Sequence, residues 1–405
     1  MLKIYNSLSR AEEPFVPLDP ARVRMYVCGI TVYDYCHLGH ARMMIVFDMV
    51  QRWLRASGYP LTYVRNITDI DDKIIRRASE TGESVAALTE RFTRYMDEDA
   101  AVLGVQKPDY EPRATAHVAE MLEMIGRLEK RGIAYRAESG DVNFSVRKFP
   151  GYGKLSGKSL EDLRAGERVE VDATKRDPLD FVLWKRAKEG EPFWQSPWGN
   201  GRPGWHIECS AMASSLLGDS FDLHAGGEDL MFPHHENEIA QSESATGKTF
   251  ARHWMHVRFL LVEGKKMSKS EGNFYTLRDL LLKGYRASAI RFLLISVPYR
   301  HQMNFTFDSL IASTNAVDRL RTFHQRIQKG GFPEGLNSDI AAATAKAEQD
   351  YTAALANDLN TAEARAAIFD LVRTANSAAD AIRNDLLAKG ILIEDSKDGV
   401  RWKRK

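Results

Sequence analysis

Two short segments, far apart in the chain, contain residue types suited to handling the phosphates of ATP. Residues 37–40 are His-Leu-Gly-His, and residues 266–270 are Lys-Met-Ser-Lys-Ser. When ATP activates a carboxylate, negative charge moves onto the α-phosphate and then onto the departing pyrophosphate. Imidazole donors and ammonium groups can stabilise that charge, and a glycine lets the backbone approach the nucleotide closely. Either segment alone could occur by chance, so the chemistry depends on a fold that brings them together.

A second group of residues has the chemistry of a metal site. His234 and Glu238 are one helical turn apart, so both could face the same point, as metal ligands on a helix often do. Such a pair is more often a solvated helix face. Cys28 and Cys209 are too distant in sequence for their spacing to link them, and lone cysteines are more often small core residues. These residues alone leave both interpretations open.

The histidine segment lies in a pattern typical of a βαβ unit. Residues 24–28 form a predicted buried strand, and a loop begins at Gly29. Residues 41–56 carry apolar residues at helical spacing, and residues 61–66 return as a strand. The histidines then lie at the N-terminus of the crossover helix, where unpaired N–H groups and the helix dipole favour anions.

The remaining pattern predicts an insertion, a second half of the sheet and a helical tail. Between about residues 110 and 203, a helix at 114–130 leads into short strands and turns. Strands at 220–225 and 256–262 are expected to continue the sheet, and the lysine segment follows the second of them. Beyond residue 276 the chain reads as helical nearly to Gly390, with a break around residues 329–333.

The composition is that of an ordinary globular protein of two or three domains. The chain has 405 residues, of which 44% are hydrophobic and 27% charged. Its net charge of +1 gives no global indication of nucleic-acid binding, which would depend on local basic patches. No apolar run approaches membrane-spanning length, the start lacks a signal peptide's apolar stretch, and three cysteines argue against a disulfide framework. We therefore expect a cytoplasmic protein with no membrane partner.

Longer segments resemble the cysteinyl-tRNA synthetases, a family of class I aminoacyl-tRNA synthetases. The similar segments are residues 26–40, 66–73 (Asn-Ile-Thr-Asp-Ile-Asp-Asp-Lys), 204–210 (Gly-Trp-His-Ile-Glu-Cys-Ser) and 224–238. The resemblance covers most of the chain and is far more specific than any single motif. It implies activation of L-cysteine with ATP to cysteinyl-adenylate, then transfer to the 3′-terminal adenosine of cysteine tRNA, tRNA(Cys). No covalent enzyme intermediate is expected, because catalysis would rest on positioning and charge stabilisation.

The resemblance also implies one zinc ion per chain. In that family zinc is held by residues that fall here on Cys28, Cys209, His234 and Glu238, and the thiolate of the substrate cysteine adds to the metal. Serine differs from cysteine by one atom, and shape alone rarely discriminates by more than about 1–3 kcal/mol. Zinc favours a thiolate over an alcohol, which ionises far less readily and is a poorer soft ligand. The ion is therefore expected to select the amino acid, and Mg²⁺ is expected with ATP.

Further site residues are assigned by the same resemblance. The residues expected to bind ATP are His37, Gly39, His40, Lys266, Ser268 and Lys269, of which the two histidines and two lysines are also expected to be catalytic. The residues expected around the substrate cysteine are Gly29, Thr68, Trp205, Asp229 (opposite the substrate ammonium) and His224 (beside the zinc). A structural role is nearly as reasonable for these pocket residues, with Trp205 as a core aromatic and Thr68 as a turn or cap. For Cys36 we expect inert packing.

The implied fold is α/β, with a Rossmann-type parallel-sheet catalytic domain split by an α+β insertion and followed by an all-helical C-terminal region. We expect the first half of the catalytic domain at 1–110, the connective insertion at 111–203 and the second half, with the zinc residues and the lysine segment, at 204–275. A stem-contact region at 276–310 and a helical tRNA-binding region at 311–405 would follow. We expect a monomer.

The sequence departs from the family near its end. Residues 354–379 resemble the helical domain after the catalytic core, residues 381–391 its closing helix, and residues 402–405 its terminus. In typical members several tens of residues separate the first piece from the last two. This separating span carries much of the anticodon-reading module. Here the pieces abut around residues 377–381. Either the protein is shortened there or the sequence lacks an internal stretch. A smaller departure is Ile30, where the family commonly has proline.

Two other functions fit parts of the sequence. A cysteine:amino-sugar ligase of mycothiol synthesis shares the ancestry, the length and the zinc and ATP motifs, but the long helical tail and the basic ending at 402–405 argue against it. A non-catalytic zinc- or tRNA-binding relative would be expected to lose part of the histidine or lysine machinery, and none is lost. Cysteine-dependent pyrophosphate exchange, followed by a test of the acceptor, distinguishes the three.

Overall fold

The computed structural model describes residues 1–161, 174–268, 270–329, 337–389, 391–396 and 399–404. Its first part contains an N-terminal hairpin and the predicted βαβ unit. The elements are β1 (Lys3–Asn6), β2 (Ala11–Pro14), β3 (Val23–Thr31), α1 (Leu38–Ala56), β4 (Leu61–Thr68), α2 (Asp72–Thr81) and α3 (Val85–Val102). β3 and β4 are parallel, with Tyr26 opposite Val64. β3 continues to Thr31, so the expected loop beginning at Gly29 is wrong.

The insertion is a small α+β unit. The predicted helix at 114–130 is a 3₁₀ turn, Ala114–Ala116, followed by a helix. The elements are α4 (Val118–Lys130), β5 (Ala134–Arg136), β6 (Val142–Phe144), β7 (Phe181–Arg186) and β8 (Gly201–Pro203). The four strands pair antiparallel in the order β5-β6-β7-β8. A second 3₁₀ turn, Val146–Lys148, follows β6.

The second half of the catalytic sheet follows the insertion. Its elements are α5 (Trp205–Leu217), β9 (Phe221–Gly227), α6 (Glu236–Thr246) and β10 (Ala251–Val257). A 3₁₀ turn, Glu228–Leu230, and one wider helical turn, Met231–His235, join β9 to α6. The strand order β10-β9-β3-β4 places β9 beside β3, and all three pairings are parallel. This is the predicted Rossmann-type sheet split by an insertion.

The strand predicted at 256–262 is wrong, because it is two strands in different sheets. β10 ends at Val257, and Arg258 and Phe259 turn outward and are exposed. The chain then enters a three-stranded sheet of order β12-β11-β13. The elements of this region are β11 (Leu260–Val262), β12 (Lys265–Lys266), α7 (Leu277–Leu282), α8 (Ala287–Leu294) and β13 (Met303–Phe305).

The C-terminal region is helical except at its end. Its elements are α9 (Phe307–Lys329), α10 (Ser338–Ala356), α11 (Thr361–Ala388), β14 (Ile391–Ser396) and β15 (Gly399–Arg404). β14 and β15 form an antiparallel hairpin, so the expectation of an all-helical region is wrong there. The predicted break at 329–333 starts where α9 ends, and residues 330–336 lie outside the described residues. α11 runs without interruption through residues 377–381.

The catalytic sheet is covered on both faces, as expected for parallel strands. β3 is almost entirely apolar, and Met25, Tyr26 and Val27 are fully buried. One face packs against α1, α2 and α3, and the other face packs against α4, α5, α6 and the insertion. The carboxyl ends of the strands therefore form the open edge where polar side chains can meet. Among the described residues, no helix is both long enough and apolar enough to cross a membrane.

Candidate active site

Four donor side chains that are distant in sequence meet at the carboxyl ends of β3 and β9. Cys28 is on β3, Cys209 on α5, His234 in the wide turn before α6, and Glu238 on α6. All four are buried, and one ligand atom from each lies within 4.8 Å of the others. Cys28 Sγ is 3.3 Å and His234 Nε2 is 3.1 Å from Glu238 Oε1. The structure thus brings together the four residues expected to hold zinc.

A local irregularity of β3 places Cys28. The pairing of β3 with β4 shifts between Val27 and Ile30, and such irregularities redirect side chains at the edges of sites. The Gly29 N–H donates to Asn66 Oδ1 at 2.8 Å. A Cβ at Gly29 would lie only 1.6 Å from the Asn66 carbonyl oxygen, so no other residue fits without moving the strands. The glycine therefore permits the close contact that sets the direction of Cys28.

Burial and the neighbouring charges set the protonation of the four donors. Burial raises the pKa of the Cys28 thiol well above its usual range and also raises the pKa of Cys209. Burial lowers the pKa of His234 to about 3, so its imidazole is neutral. Burial would raise the pKa of Glu238, but the neighbouring His224 and His234 bring it below its usual value. Two thiols, an imidazole and a carboxylate in a dry pocket form a donor set that fits zinc, whose charge would ionise the thiols.

A second set of donors overlaps the first and was not predicted. Cys28 and Glu238 also lie within 4.8 Å of ligand atoms of His224 and His235. His224 Nε2 is 2.8 Å from Glu238 Oε2, and His235 Nδ1 is 2.8 Å from His256 Nε2. One signal for this set is the density of histidines between residues 224 and 256, but their spacing does not indicate which of them meet.

The segment at 37–40 forms the N-terminus of α1. His37 is the N-cap, and its Nδ1 accepts hydrogen bonds from the N–H groups of Gly39 (3.0 Å) and His40 (3.3 Å). The two imidazoles stack with ring centroids 3.6 Å apart. A Cβ at Gly39 would lie 2.8 Å from His37 Cε1, so the cap favours glycine there. Burial lowers the pKa of His40 well below its usual value, which leaves the ring neutral.

The lysine segment leaves the β11–β12 hairpin. Lys266 is exposed at the end of β12, and its carbonyl accepts from Asn273 Nδ2 at 3.1 Å. The Ser268 N–H donates to Asn273 Oδ1 at 2.9 Å, and Ser268 Oγ is 2.7 Å from Ser270 Oγ. Lys269 lies outside the described residues. Asn273 therefore holds the backbone of a loop whose cationic Lys266 remains in solvent.

The loop returns directly to the histidine segment. The Leu38 N–H donates to the Tyr275 carbonyl at 3.1 Å, and the Leu277 N–H donates to the Cys36 carbonyl at 3.0 Å. The ring of Phe274 packs edge-on against His37, with centroids 5.4 Å apart. The residues that follow the lysine segment are therefore adjacent to the histidine segment.

Of the residues expected around the substrate cysteine, Trp205 and His224 contact the donor cluster directly, and Gly29 and Thr68 are joined to it through Asn66. Trp205 is 36% exposed and stacks on His234 with ring centroids 4.3 Å apart, so it is not a core aromatic. Thr68 is buried at the end of β4 and accepts from Asn66 Nδ2 at 3.2 Å. Asp229 is exposed in the turn after β9. Cys36 is buried, and burial raises the pKa of its thiol to about 12, as inert packing requires.

Two functional candidates escaped the sequence analysis. Asn66 binds Gly29 and Thr68 and lies 3.6 Å from Cys209 Sγ. Glu208 is fully buried, and its Oε2 has no hydrogen-bond partner among the described residues. Both belong to segments that carried the family resemblance, so that resemblance was the available signal.

The comparisons with known proteins agree with this geometry. A family model described as the class I (C) tRNA synthetase catalytic domain matches residues 14–315, and a DALR domain model matches residues 350–395. The chain is 59% identical to a cysteine--tRNA ligase of Janthinobacterium sp. (strain Marseille) over 378 residues, which is 93% of this chain and 80% of that protein. It is 52% identical to a cysteine--tRNA ligase of Dechloromonas aromatica (strain RCB), with 100% of both proteins covered. Among solved structures, methionyl-tRNA synthetase of Mycobacterium tuberculosis in complex with methionyl-adenylate has a TM-score of 0.70 at 17% identity and covers 91% of this chain and 85% of its own.

The longer alignment also bears on the shortened ending. It spans 463 positions, which exceeds the 405 residues of this chain by 58. The alignment with the Janthinobacterium protein covers 93% of the chain in 378 positions and is therefore almost free of gaps. The alignment over the whole chain therefore contains several tens of gap positions. This is the length expected for the span that is missing between the pieces that abut at residues 377–381.

Proposed function

The chain belongs to the cysteine--tRNA ligases, a family of class I tRNA synthetases, and on this basis we propose that it activates L-cysteine with ATP and transfers the cysteinyl group to the 3′-terminal adenosine of tRNA(Cys). The observation that carries the proposal is the convergence of Cys28, Cys209, His234 and Glu238 at the carboxyl end of β3, the strand that leads into the crossover helix bearing the two ATP histidines. Amino-acid selection and nucleotide chemistry would then share one edge of the sheet.

We propose that these four donors hold one zinc ion. The ion would supply a Lewis acid that favours the thiolate of cysteine over the hydroxyl of serine. Glu238 is fixed by His224, and His234 is fixed by the stacked Trp205 and by His206, whose Nδ1 is 3.0 Å from His234 Nδ1. Partners that orient metal ligands in this way help to set the affinity for the ion.

The two ATP segments have complementary tasks in this proposal. His37 is occupied as the N-cap, whereas the buried Nδ1 of His40 has no hydrogen-bond partner in the part of the chain that the structure describes. His40 is therefore suited to donate to a phosphate oxygen at the helix N-terminus. Lys266 carries a charge that can follow the departing pyrophosphate, and Ser268 and Lys269 are assigned to the same loop. Mg²⁺ would accompany the nucleotide.

The substrate cysteine would lie between the donors and the ATP segments. We assign Trp205, which stacks on His234, to cover the amino acid, and Thr68 and Gly29 would form the floor of the pocket at the ends of β4 and β3. Asp229 is assigned to the substrate ammonium, and His224 to the surroundings of the zinc. Holding carboxylate and α-phosphate together supplies much of the rate through orientation.

The tRNA is assigned to the C-terminal half. We propose the boundaries 1–110, 111–203 and 204–275 for the split catalytic domain and its insertion, 276–310 for contacts with the acceptor stem and 311–405 for the helical tRNA-binding region. The DALR domain match at 350–395 supports the last assignment, and it also favours tRNA over an amino-sugar acceptor. We further propose that the protein acts as a monomer in the cytoplasm, where its three free cysteines would stay reduced.

The test has two steps. Purified, zinc-loaded protein is expected to catalyse ATP–pyrophosphate exchange with cysteine and not with serine or methionine, and then to charge tRNA(Cys). Charging of an amino-sugar acceptor instead of tRNA would identify the mycothiol-type ligase. Absence of any cysteine-dependent exchange would contradict the proposed function.

A further inference from the structure

Asp358 occupies a tightly held turn between α10 and α11. It is buried, and its φ of 52° and that of Leu359 (55°) lie in the left-handed region, which is unfavourable for residues other than glycine. The Asp358 N–H donates to the Lys3 carbonyl at 3.0 Å, and Asp358 Oδ1 accepts from the Tyr5 N–H at 2.9 Å. Such a backbone conformation persists only where its surroundings hold it, and here β1 does so.

The same carboxylate binds the turn at residues 298–301. The Tyr299 hydroxyl donates to Asp358 Oδ1 at 2.6 Å, and Arg300 Nε donates to Asp358 Oδ2 at 2.5 Å. At the start of α11, Thr361 Oγ1 donates to the Ile295 carbonyl at 2.7 Å. The junction of the two C-terminal helices is therefore attached to the segment between α8 and β13.

Arg42 also holds this turn. It lies on α1, is 1% exposed, and pairs with no carboxylate among the described residues. Its Nη2 donates to the His301 carbonyl at 2.9 Å and the Pro298 carbonyl at 3.3 Å, and its Nη1 donates to the Arg258 carbonyl at 2.8 Å. The Arg258 N–H donates in turn to the Tyr299 carbonyl at 2.9 Å. The Arg42 Nε has no hydrogen-bond partner among the described residues, but the two Nη groups hold the segments whose main-chain carbonyls they bind.

We propose that Asp358, the turn at 298–301 and Arg42 form a joint through which the docking of α10 and α11 positions both ATP segments. Arg42 lies two residues after His40, so a shift of the turn would move the N-terminus of α1. Arg258 links β10 to the β11–β12 hairpin, so the same shift would move Lys266. These are positioning residues, since they act on the loops and not on the substrates.

The proposal rests on the proposed function and adds a regulation to it. The helical region assigned to tRNA would not only hold the acceptor but also set the geometry for adenylate formation. If tRNA binding changes how α10 and α11 dock, these hydrogen-bonded groups would transmit the change to the ATP segments. Coupling between distant sites requires connected groups of this kind that have discrete arrangements.

The experiment compares Asp358→Ala with Glu12→Gln in the full-length, zinc-loaded chain. Glu12 is a matched control, because it is exposed and binds Arg300 (Nη2 to Oε1, 2.7 Å) without contacting the turn backbone or α1. Asp358→Ala is expected to lower kcat for cysteine-dependent pyrophosphate exchange roughly 2- to 30-fold, the range of measured couplings. The KM for cysteine and the zinc content should stay unchanged, and Glu12→Gln should behave as wild type.

A double variant tests the coupling itself. If Asp358 acts through Arg42, the fall in kcat of the double variant with Asp358→Ala and Arg42→Lys should be smaller than the product of the two single falls. The falls in kcat caused by Arg42→Lys and Glu12→Gln should instead multiply. Hydrogen exchange gives a readout that does not depend on activity. Asp358→Ala should accelerate exchange at the start of α1 and in the β11–β12 hairpin, neither of which contains a contact of Asp358.

The contrary results are equally definite. Wild-type kcat in Asp358→Ala, with faster hydrogen exchange confined to β1, α10 and α11, would overturn the joint and leave a merely structural contact. Absence of pyrophosphate exchange in the wild type would instead contradict the proposed function, and the hydrogen-exchange comparison would still decide whether the joint exists.

Discussion

The donor cluster and the lysine segment are built differently. Cys28, Cys209, His234 and Glu238 are all at most 2% exposed and come from strands and helices that are packed on both sides. Lys266, by contrast, is exposed on a hairpin whose loop is held mainly by Asn273. Discrimination between a thiol and an alcohol needs rigid, desolvated donors, whereas departing pyrophosphate needs charges that can move with it.

The largest effect is expected when a donor of the cluster is removed. Cys209→Ser should lower the zinc content and the apparent affinity for cysteine together. Because loss of a mere orienting partner costs roughly 10- to 100-fold in metal affinity, loss of a ligand should exceed about 100-fold. The measurements are metal analysis after chelator competition and the KM for cysteine. Full zinc content with unchanged KM would remove Cys209 from the site.

Loss of an ATP contact should act on the exchange rate and should leave the zinc in place. His40→Ala or Lys269→Ala is expected to lower cysteine-dependent pyrophosphate exchange by about 100-fold or more, because a transition-state contact is lost. Lys265→Ala is the matched control, since Lys265 is exposed on the same hairpin and pairs with Glu271 at 3.7 Å. Unaltered exchange in both His40→Ala and Lys269→Ala would refute the assignment.

A moderate loss of zinc affinity is expected when a residue that contacts one of the donors is replaced. His224→Gln removes the 2.8 Å contact to Glu238, so zinc affinity should fall roughly 10- to 100-fold. His253→Gln is the matched control, because His253 is an equally buried imidazole on the adjacent strand that contacts none of the four donors. Chelator competition on both variants checks this. Equal zinc release from both would mean that His224 does not orient the carboxylate.

The smallest effect concerns the anticodon. Because the pieces at 377–381 abut, less of the helical region can reach the far end of the tRNA, and a changed anticodon should cost less here than in the Dechloromonas aromatica relative. The remaining helices would hold phosphates, with an affinity that falls as salt rises. Charging of tRNA(Cys) with normal and altered anticodons, and of an acceptor-stem minihelix, measures this. An equal anticodon penalty in both proteins would refute the shortened-module interpretation.

The parts that could be predicted from the sequence are those that repeat a local pattern. The βαβ unit follows from helical spacing in residues 41–56 and from two buried strands, and the structure has both. The division of residues 256–262 into β10 and β11 could not be predicted, because apolar residues on both sides of Arg258 give no sign of a change of sheet. The hairpin Ile391–Arg404 was not predicted, because its two strands are short and follow a long helical pattern.

The site itself was within reach only through the family resemblance. Spacing alone leaves the roles of Cys28 and Cys209 open, since no local pattern indicates that β3 and α5 meet. The second donor set with His224 and His235 was missed for the same reason. Contacts that depend on tertiary packing, such as Arg42 against four separate carbonyls, have no signature in the sequence at all.

The most direct test of the difference between the two regions is removal of the metal. Pyrophosphate exchange would be measured with cysteine and with serine, in zinc-loaded protein, in chelator-treated protein and after zinc is added back. We expect cysteine-dependent exchange to be lost without zinc and restored by it, while ATP still binds. A zinc-free protein that keeps full exchange with cysteine and still rejects serine would contradict the assignment of amino-acid selection to the donor cluster.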